Sequence, residues 1–249
     1  MGGLFGVISK RECKTELFYG TDYHSHLGTK RAGMAVLNRD GLFARSIHDI
    51  QNSYFRIKFE SDLHKFDGNS GIGVISDTDA QPILINSRLG RFAIVTVGKI
   101  NNVEELEEEF LAKGKNFAEI SSGKTNQTEL VSHLVTEKNS FAEGIKYAQN
   151  RIRGSLTMLI LTSEGIIAAR DKYGRTPLII GRNEDSMAVA SEDCSFPNIG
   201  FESEYILGPG ETVLLTADGT TQLLAPQKEL QICSFLWIYY GYPTSNYEG

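Results

Sequence analysis

No run of apolar residues in this chain approaches the roughly 18 to 20 needed to span a bilayer. The apolar N-terminus is short, Gly-rich and without a basic stretch before it, so it does not read as a secretory signal. Gly2 does not read as a myristoylation site either, because Gly6 stands where that motif wants a hydroxyl. Cysteine is scarce: Cys13, Cys194 and Cys233 are odd in number, far apart and free of C-x-x-C spacing. They read as reduced thiols of a cytoplasmic protein and not as a disulfide framework. A net charge of −6 argues against nucleic acid as a partner. His24 and His26 are the one close histidine pair and lack a second pair of ligands nearby, so no metal is expected. A solvent-facing or capping role is expected for them. No internal repeat or low-complexity linker appears, which favours a single domain.

What the chain does contain is short β-rich segments, with helical patterns set between them. Residues 3–9 read as a strand and 22–34 as a helix leading into a strand at 34–38. Arg39-Asp40-Gly41 is a tight turn that makes a hairpin with 42–47. Further strands are expected at 72–76, 82–86 and 92–98. A helix follows, with Asn101 or Asn102 as its cap and Val103, Leu106 and Phe110 at helical spacing. The glutamates crowding its first turns suit the positive end of the helix dipole and read as a solvated face. Residues 128–138 read as a helix, and Ser140-Phe141-Ala142-Glu143 as a capping box opening another. A hairpin of 155–162 with 166–170 comes next, then strands near 177–181, 187–191, 211–215 and 220–224. Strands, helices and strands again predict an α+β fold of two packed sheets with helices outside.

Several segments carry a resemblance. Arg170-Asp171-Lys172-Tyr173-Gly174-Arg175-Thr176-Pro177-Leu178 is similar to an R-D-x-Y-G-x-x-P-L loop. Ala190-Ser191-Glu192-Asp193-Cys194 with Gly200-Phe201-Glu202 is similar to A-S-E-x-C…G-F-E, and Gly208-Pro209-Gly210-Glu211 to a P-G-E turn. The segment from Cys233 to Ser245 resembles C-x-F-x-x-x-Y-F-x-R-P-x-S. In this order, together with the opening Gly2-Gly3-Leu4-Phe5-Gly6-Val7, they resemble the N-terminal glutaminase domain of amidophosphoribosyltransferases, a class II glutamine amidotransferase of the Ntn-hydrolase type. The resemblance implies a four-layer αββα sandwich of two mainly antiparallel sheets. It places residues 1–234 in the glutaminase-like domain and 235–249 at the start of a connection to a phosphoribosyltransferase domain. Without the family, Arg170-Asp171 is a strand end and a turn, and Gly208-Pro209-Gly210 is a loop. These segments speak for ancestry and architecture, not activity.

The positions that the resemblance makes catalytic read differently. The family hydrolyses an amide with the side chain of the first mature residue, and Gly2 has none. The arginine of G-I-G-H-x-R, which clamps the substrate carboxylate, is matched by Ser76 in Gly71-Ile72-Gly73-Val74-Ile75-Ser76. The oxyanion pair of H-N-G-N is matched by Val97 and Gly98, and valine offers no amide. Losing one such donor costs about 10² to 10³ in rate by precedent. The aspartate of T-x-D-[ST]-E, which holds the α-ammonium, is matched by Gln127, and His26 lies in the remnant of the Q-H-R-G-Q segment.

Three functional readings follow. The first is a pseudo-glutaminase domain that serves an attached or partner phosphoribosyltransferase, in a homo-oligomer of the full-length form, with ammonia from elsewhere and no cofactor of its own. The aromatic stretch Phe235 to Tyr242 fits cover by such a domain, and equally an ordinary final core strand. The second is a small-molecule sensor using the neutralised pocket. The third is an active enzyme of purine synthesis whose nucleophile is engineered away or relocated, with Cys13 the nearest thiol.

Overall fold

The structure, a computed structural model, describes residues 2–121 and 123–249. The chain enters on β1 (Gly2–Ser9), turns through α1 (Lys14–Asp22) and a single turn at Ser25–Leu27, and makes the hairpin β2 (Arg31–Asn38) and β3 (Phe43–Asp49). A short α2 (Phe55–Phe59) leads to β4 (Gly68–Ser76), β5 (Ile83–Ser87) and β6 (Gly90–Ile100). Next come α3 (Val103–Ala112), the small pair β7 (Ile120–Ser121) and β8 (Lys124–Thr125), α4 (Gln127–Thr136) and α5 (Phe141–Arg151). The rest is β9 (Gly154–Thr162), β10 (Gly165–Ala169), β11 (Ile179–Arg182), β12 (Ser186–Ala190), β13 (Glu202–Ile206), β14 (Thr212–Thr216) and β15 (Gly219–Leu224).

These strands form two large sheets, ordered β13-β11-β12-β1-β4-β2-β3 and β15-β14-β10-β9-β6-β5. All of their pairings are antiparallel, as in β1 with β4 and β6 with β9. Side chains alternate across each strand, so β1 sends Leu4 into the layer between the sheets and Phe5 and Val7 outward. The inner layer packs Leu4, Ile72 and Val74 against Val95, Leu159 and Leu161. Outside the first sheet, Leu17, Phe18, Phe55 and Phe59 of the early helices cover Phe5 and Val7. Outside the second, Leu106, Phe110, Leu130, Leu134, Ile145 and Ala148 cover Phe92 and Ile94. The result is the four-layer αββα sandwich. Because both sheets are buried on both faces, their central strands read as continuous apolar runs and not as alternation.

Three expectations need correction. The helix over 22–34 is not there: α1 ends at Asp22 and β2 begins at Arg31. The real helix escaped notice because two of its four buried positions are Gly20 and Thr21, which give no apolar periodicity. The segment from Leu236 to Tyr240 is a single helical turn, not a final core strand. His24 is fully buried, against the solvent-facing role expected of the histidine pair. Asn102 does precede α3, but its side chain bonds Arg151 O and the N–H of Arg153, and so ties α3 to the end of α5. The two-stranded β7–β8 pair, α2 and β13 carried too little periodic signal to be seen.

The cap that matters most for the site is Asn126. Its Oδ1 accepts from the N–H groups of Thr128 at 2.9 Å and Glu129 at 3.3 Å, and its Nδ2 donates to Ala80 O at 2.8 Å. It therefore pins the start of α4 to the loop after β4. Replacing a capping asparagine by alanine costs about 1 to 2 kcal/mol. Asn126→Ala is expected to lower the unfolding free energy measured by urea titration by that much, and Ser140→Ala, at the exposed cap of α5, by less.

Candidate functional site

The inner layer of the sandwich opens at one end, where β1 begins and β4 ends, with Val97 on β6 of the facing sheet set against Gly2. Gly2 pairs with Ser76 in the β1–β4 ladder. A Cβ built on Gly2 would lie 2.6 Å from the carbonyl oxygen of Ile75 and 3.0 Å from Cγ2 of Val97. The first contact is with strand backbone and cannot be relieved by a side-chain rotation. Any residue larger than glycine must move β1 or β4. Gly98 is fixed for a similar reason: a Cβ there would lie 2.2 Å from Ser155 O on β9.

Next to this corner is a cavity of about 40 Å³ lined by Ser76, Thr78, Asp79, Val97, Gly98 and Gln127 among others. The structure thus brings Ser76, Val97, Gly98 and Gln127 together, with Gly2 against Val97. The volume is far below the roughly 300 Å³ at which ligand pockets begin. It opens into a larger polar groove of about 1050 Å³ that shares Thr78, Asp79, Gly98 and Gln127. That groove carries both signs of charge, with Lys30, Arg31 and Lys99 facing Asp77, Glu104 and Glu107.

Asp79 is the residue that sequence reading missed, because attention to the G-I-G segment stopped at Ser76. It is 7% exposed. Thr78 Oγ1 donates to its Oδ2 at 3.1 Å. Burial pushes its carboxyl above the ordinary value, against the opposing effects of the Thr78 hydroxyl, the Gln127 N–H and the charge of Arg31. The Gln127 N–H belongs to the first turn of α4, where free donors favour an anion. The only available signal was Asp77-Thr78-Asp79 following directly on an expected strand.

His26 is placed apart, on the buried carboxylate of Glu192. Its Nε2 lies 2.8 Å from Glu192 Oε2, and its ring packs on Tyr242. Glu192 also accepts from the Tyr247 hydroxyl, from Ser245 Oγ at 3.1 Å and from the Tyr242 N–H at 3.3 Å. Burial alone would raise this carboxyl, but the bonds from His26 and Tyr247 hold it below its ordinary value. Beside it, Asn246 donates its backbone and side-chain N–H groups to Asp193, both at 2.9 Å. The A-S-E-D-C motif is therefore the seat on which residues 241–249 dock.

The R-D motif is likewise internal scaffold. Arg170 is buried and bonds Leu207 O, Gly174 O and Glu248. The Asp171 carboxylate accepts from the N–H groups of Leu156, Tyr173 and Arg175.

A glutamine amidotransferase domain model matches residues 69–198, more than half of the chain. The chain belongs to the glutamine amidotransferase family. This amidotransferase domain is 27% identical to the amidophosphoribosyltransferase of Bacillus subtilis over 99% of its own length and 53% of that protein. It is 30% identical to that of Methanocaldococcus jannaschii over 86% of its length and 46% of the relative. It superposes on the structure of glutamine phosphoribosylpyrophosphate amidotransferase from B. subtilis, complexed with ADP and GMP, with a TM-score of 0.86 and 26% identity, covering 98% of this chain and 54% of that one. The amidotransferase domain therefore spans about half the length of the curated relatives it matches.

Cys13 and Cys194 are not activated nucleophiles. Burial pushes the Cys13 thiol up to about 12, and that of Cys194 to about 12 as well. Both are buried, where the reactive thiolate does not form. Among the described residues no group of three or more metal-ligating side chains converges, and no helix is long and apolar enough to cross a membrane.

His24 gives the domain an acid sensitivity. Its Nδ1–H donates to Gly20 O at 2.7 Å, and its Nε2 accepts from the Glu192 N–H at 3.3 Å. Burial lowers its pKa from 6.5 to about 4. The unfolded chain therefore takes up this proton first as pH falls. The stabilisation is complete above pH 6.5 and drains away between there and about pH 4, by up to roughly 3 kcal/mol. Urea midpoints measured across that window are expected to fall, with a shallower fall in His24→Asn.

Proposed function

We propose that this domain has lost glutamine hydrolysis and serves a structural or regulatory role for a phosphoribosyltransferase, as an attached domain or a partner subunit. The observation that carries the reading is the lack of space at Gly2, where a side-chain nucleophile would meet the Ile75 carbonyl at its first carbon. Around that point Ser76 offers no cation for a carboxylate, Val97 no donor for an oxyanion and Gln127 no charge for an ammonium. Four separate requirements of the reaction are unmet, so an engineered change at Gly2 alone does not account for the site. The deep burial of Cys13 argues in the same way against a relocated nucleophile.

In this reading residues 1–234 are the amidotransferase-like body and 235–249 begin the connection to the transferase. Support comes from the relatives' greater length and from the exposed Phe235, Ile238 and Tyr239, an apolar surface that expects cover. Purine synthesis, the cytoplasm and a homo-oligomeric full-length form belong to the same proposal, the first supported by a solved relative described as the allosteric regulatory enzyme of purine biosynthesis. A sensor role has one observation in its favour, the large charged groove outside the collapsed inner cavity.

The test is glutamate release from glutamine by the intact protein, with and without phosphoribosyl pyrophosphate. No release above the protein-free control is expected, and Gly2→Cys is expected to leave it absent. Robust release by the native protein would overturn the reading. Release by Gly2→Cys would show that glutamine is still held, and that Ser76 and Gln127 are wrongly assigned.

A further inference from the structure

We propose that the cavity beside Ser76 and Asp79 is a binding site for ammonium. This rests on the reading that glutamine no longer occupies the site. Three observations point to that ligand.

The first is size. At about 40 Å³ the cavity admits a species of one or a few heavy atoms and no amino acid. The second is the chemistry of the lining. Its polar side chains are Ser76, Thr78, Asp79, Thr96, Gln127 and Ser155. All of them present oxygen acceptors, and no Lys, Arg or His lines the space.

The third is an unneutralised carboxylate. Asp79 is more than nine-tenths buried, yet none of the ion pairs among the described residues includes it. Its carboxyl is held above the ordinary value by burial, with Arg31 acting only through its longer-range charge. A buried anion without a contacting cation is costly and attracts one.

The acceptors are also arranged for a hydrogen-bonding cation. Ser76 Oγ and Thr78 Oγ1 are 3.4 Å apart, and Thr78 Oγ1 is 3.1 Å from Asp79 Oδ2, so the three oxygens form a chain along one wall. Each hydroxyl in this chain keeps acceptor capacity after its own donation. The Gln127 side chain is also among the lining groups. Ammonium has four N–H donors and is satisfied by a few directed acceptors. Potassium is the discriminating comparison, since it binds through a shell of oxygens, whereas ammonium is held by directed hydrogen bonds. The shared groove supplies the route in, since Thr78, Asp79 and Gln127 line both spaces.

The inference is tested on the whole 249-residue chain, ¹⁵N-labelled, by titrating ammonium chloride at constant ionic strength and following the amide resonances of Thr78, Asp79 and Gln127. Tetramethylammonium chloride, which donates no hydrogen bond and is too large, is the reference, and potassium chloride is the competing ion. Saturable shifts with ammonium alone are expected. Affinity should fall at least tenfold in Asp79→Asn and severalfold in Thr78→Val, each checked for a dispersed, folded spectrum. Non-saturating shifts, equal binding of potassium, or affinity unchanged in both variants would overturn it. Glutamate release measured on the same preparation separates the two ideas. Release removes the reading beneath the inference, whereas no release together with no ammonium saturation removes the inference alone.

Discussion

Everything at this site depends on how closely β1 is held between its neighbours. The strand lies in the middle of its sheet, bonded to β4 on one side and β12 on the other, with helices on its outer face and the second sheet on its inner face. Such a strand has no freedom to shift. When Val97 of the opposite sheet comes up beneath its first residue, the only side chain that fits there is hydrogen. Packing density sets this limit, because a core at crystal-like density accommodates an added carbon only by moving backbone.

The chemistry around that corner changes consistently with the space. A site that holds a zwitterion needs a cation, an anion and fixed donors, each desolvated and paired. Here hydroxyls, an amide and a valine stand in those places, and a single carboxylate, Asp79, remains under cover. The fold has kept its internal scaffold at full strength over the same distance. Arg170, Asp171 and Glu192 are buried charged groups whose bonds go to backbone, to His26 and to the final residues of the chain. In the proposed reading, charge is kept where it joins segments of the fold and missing where it would grip a substrate.

How much of this the sequence could tell depends on the kind of signal. The sandwich was readable from continuous apolar strands such as 155–162 and from the colinear motifs. The gathering of Ser76, Val97, Gly98 and Gln127 followed from matching those motifs. α1 was not readable, because glycine and threonine occupy half of its packing face and leave no periodic pattern. Asp79 was not readable, because its burial depends on where α4 begins, and Asn126 sets that through a contact across 46 positions of sequence. The docking of 241–249 on Glu192 and Asp193 was equally hidden, since an aromatic run followed by polar residues specifies no partner. The steric limit at Gly2 could not be read at all, since it is a distance between three strands.

The most direct measurement is a binding isotherm for L-glutamine on the intact protein, read by calorimetry up to millimolar concentration and independent of turnover. With no Lys, Arg or His lining the inner cavity to match the carboxylate, and a volume of about 40 Å³ that admits no amino acid, no saturable binding is expected. Saturation in the micromolar to low millimolar range would contradict the loss of glutamine recognition and return the domain to the ranks of glutamine-using enzymes.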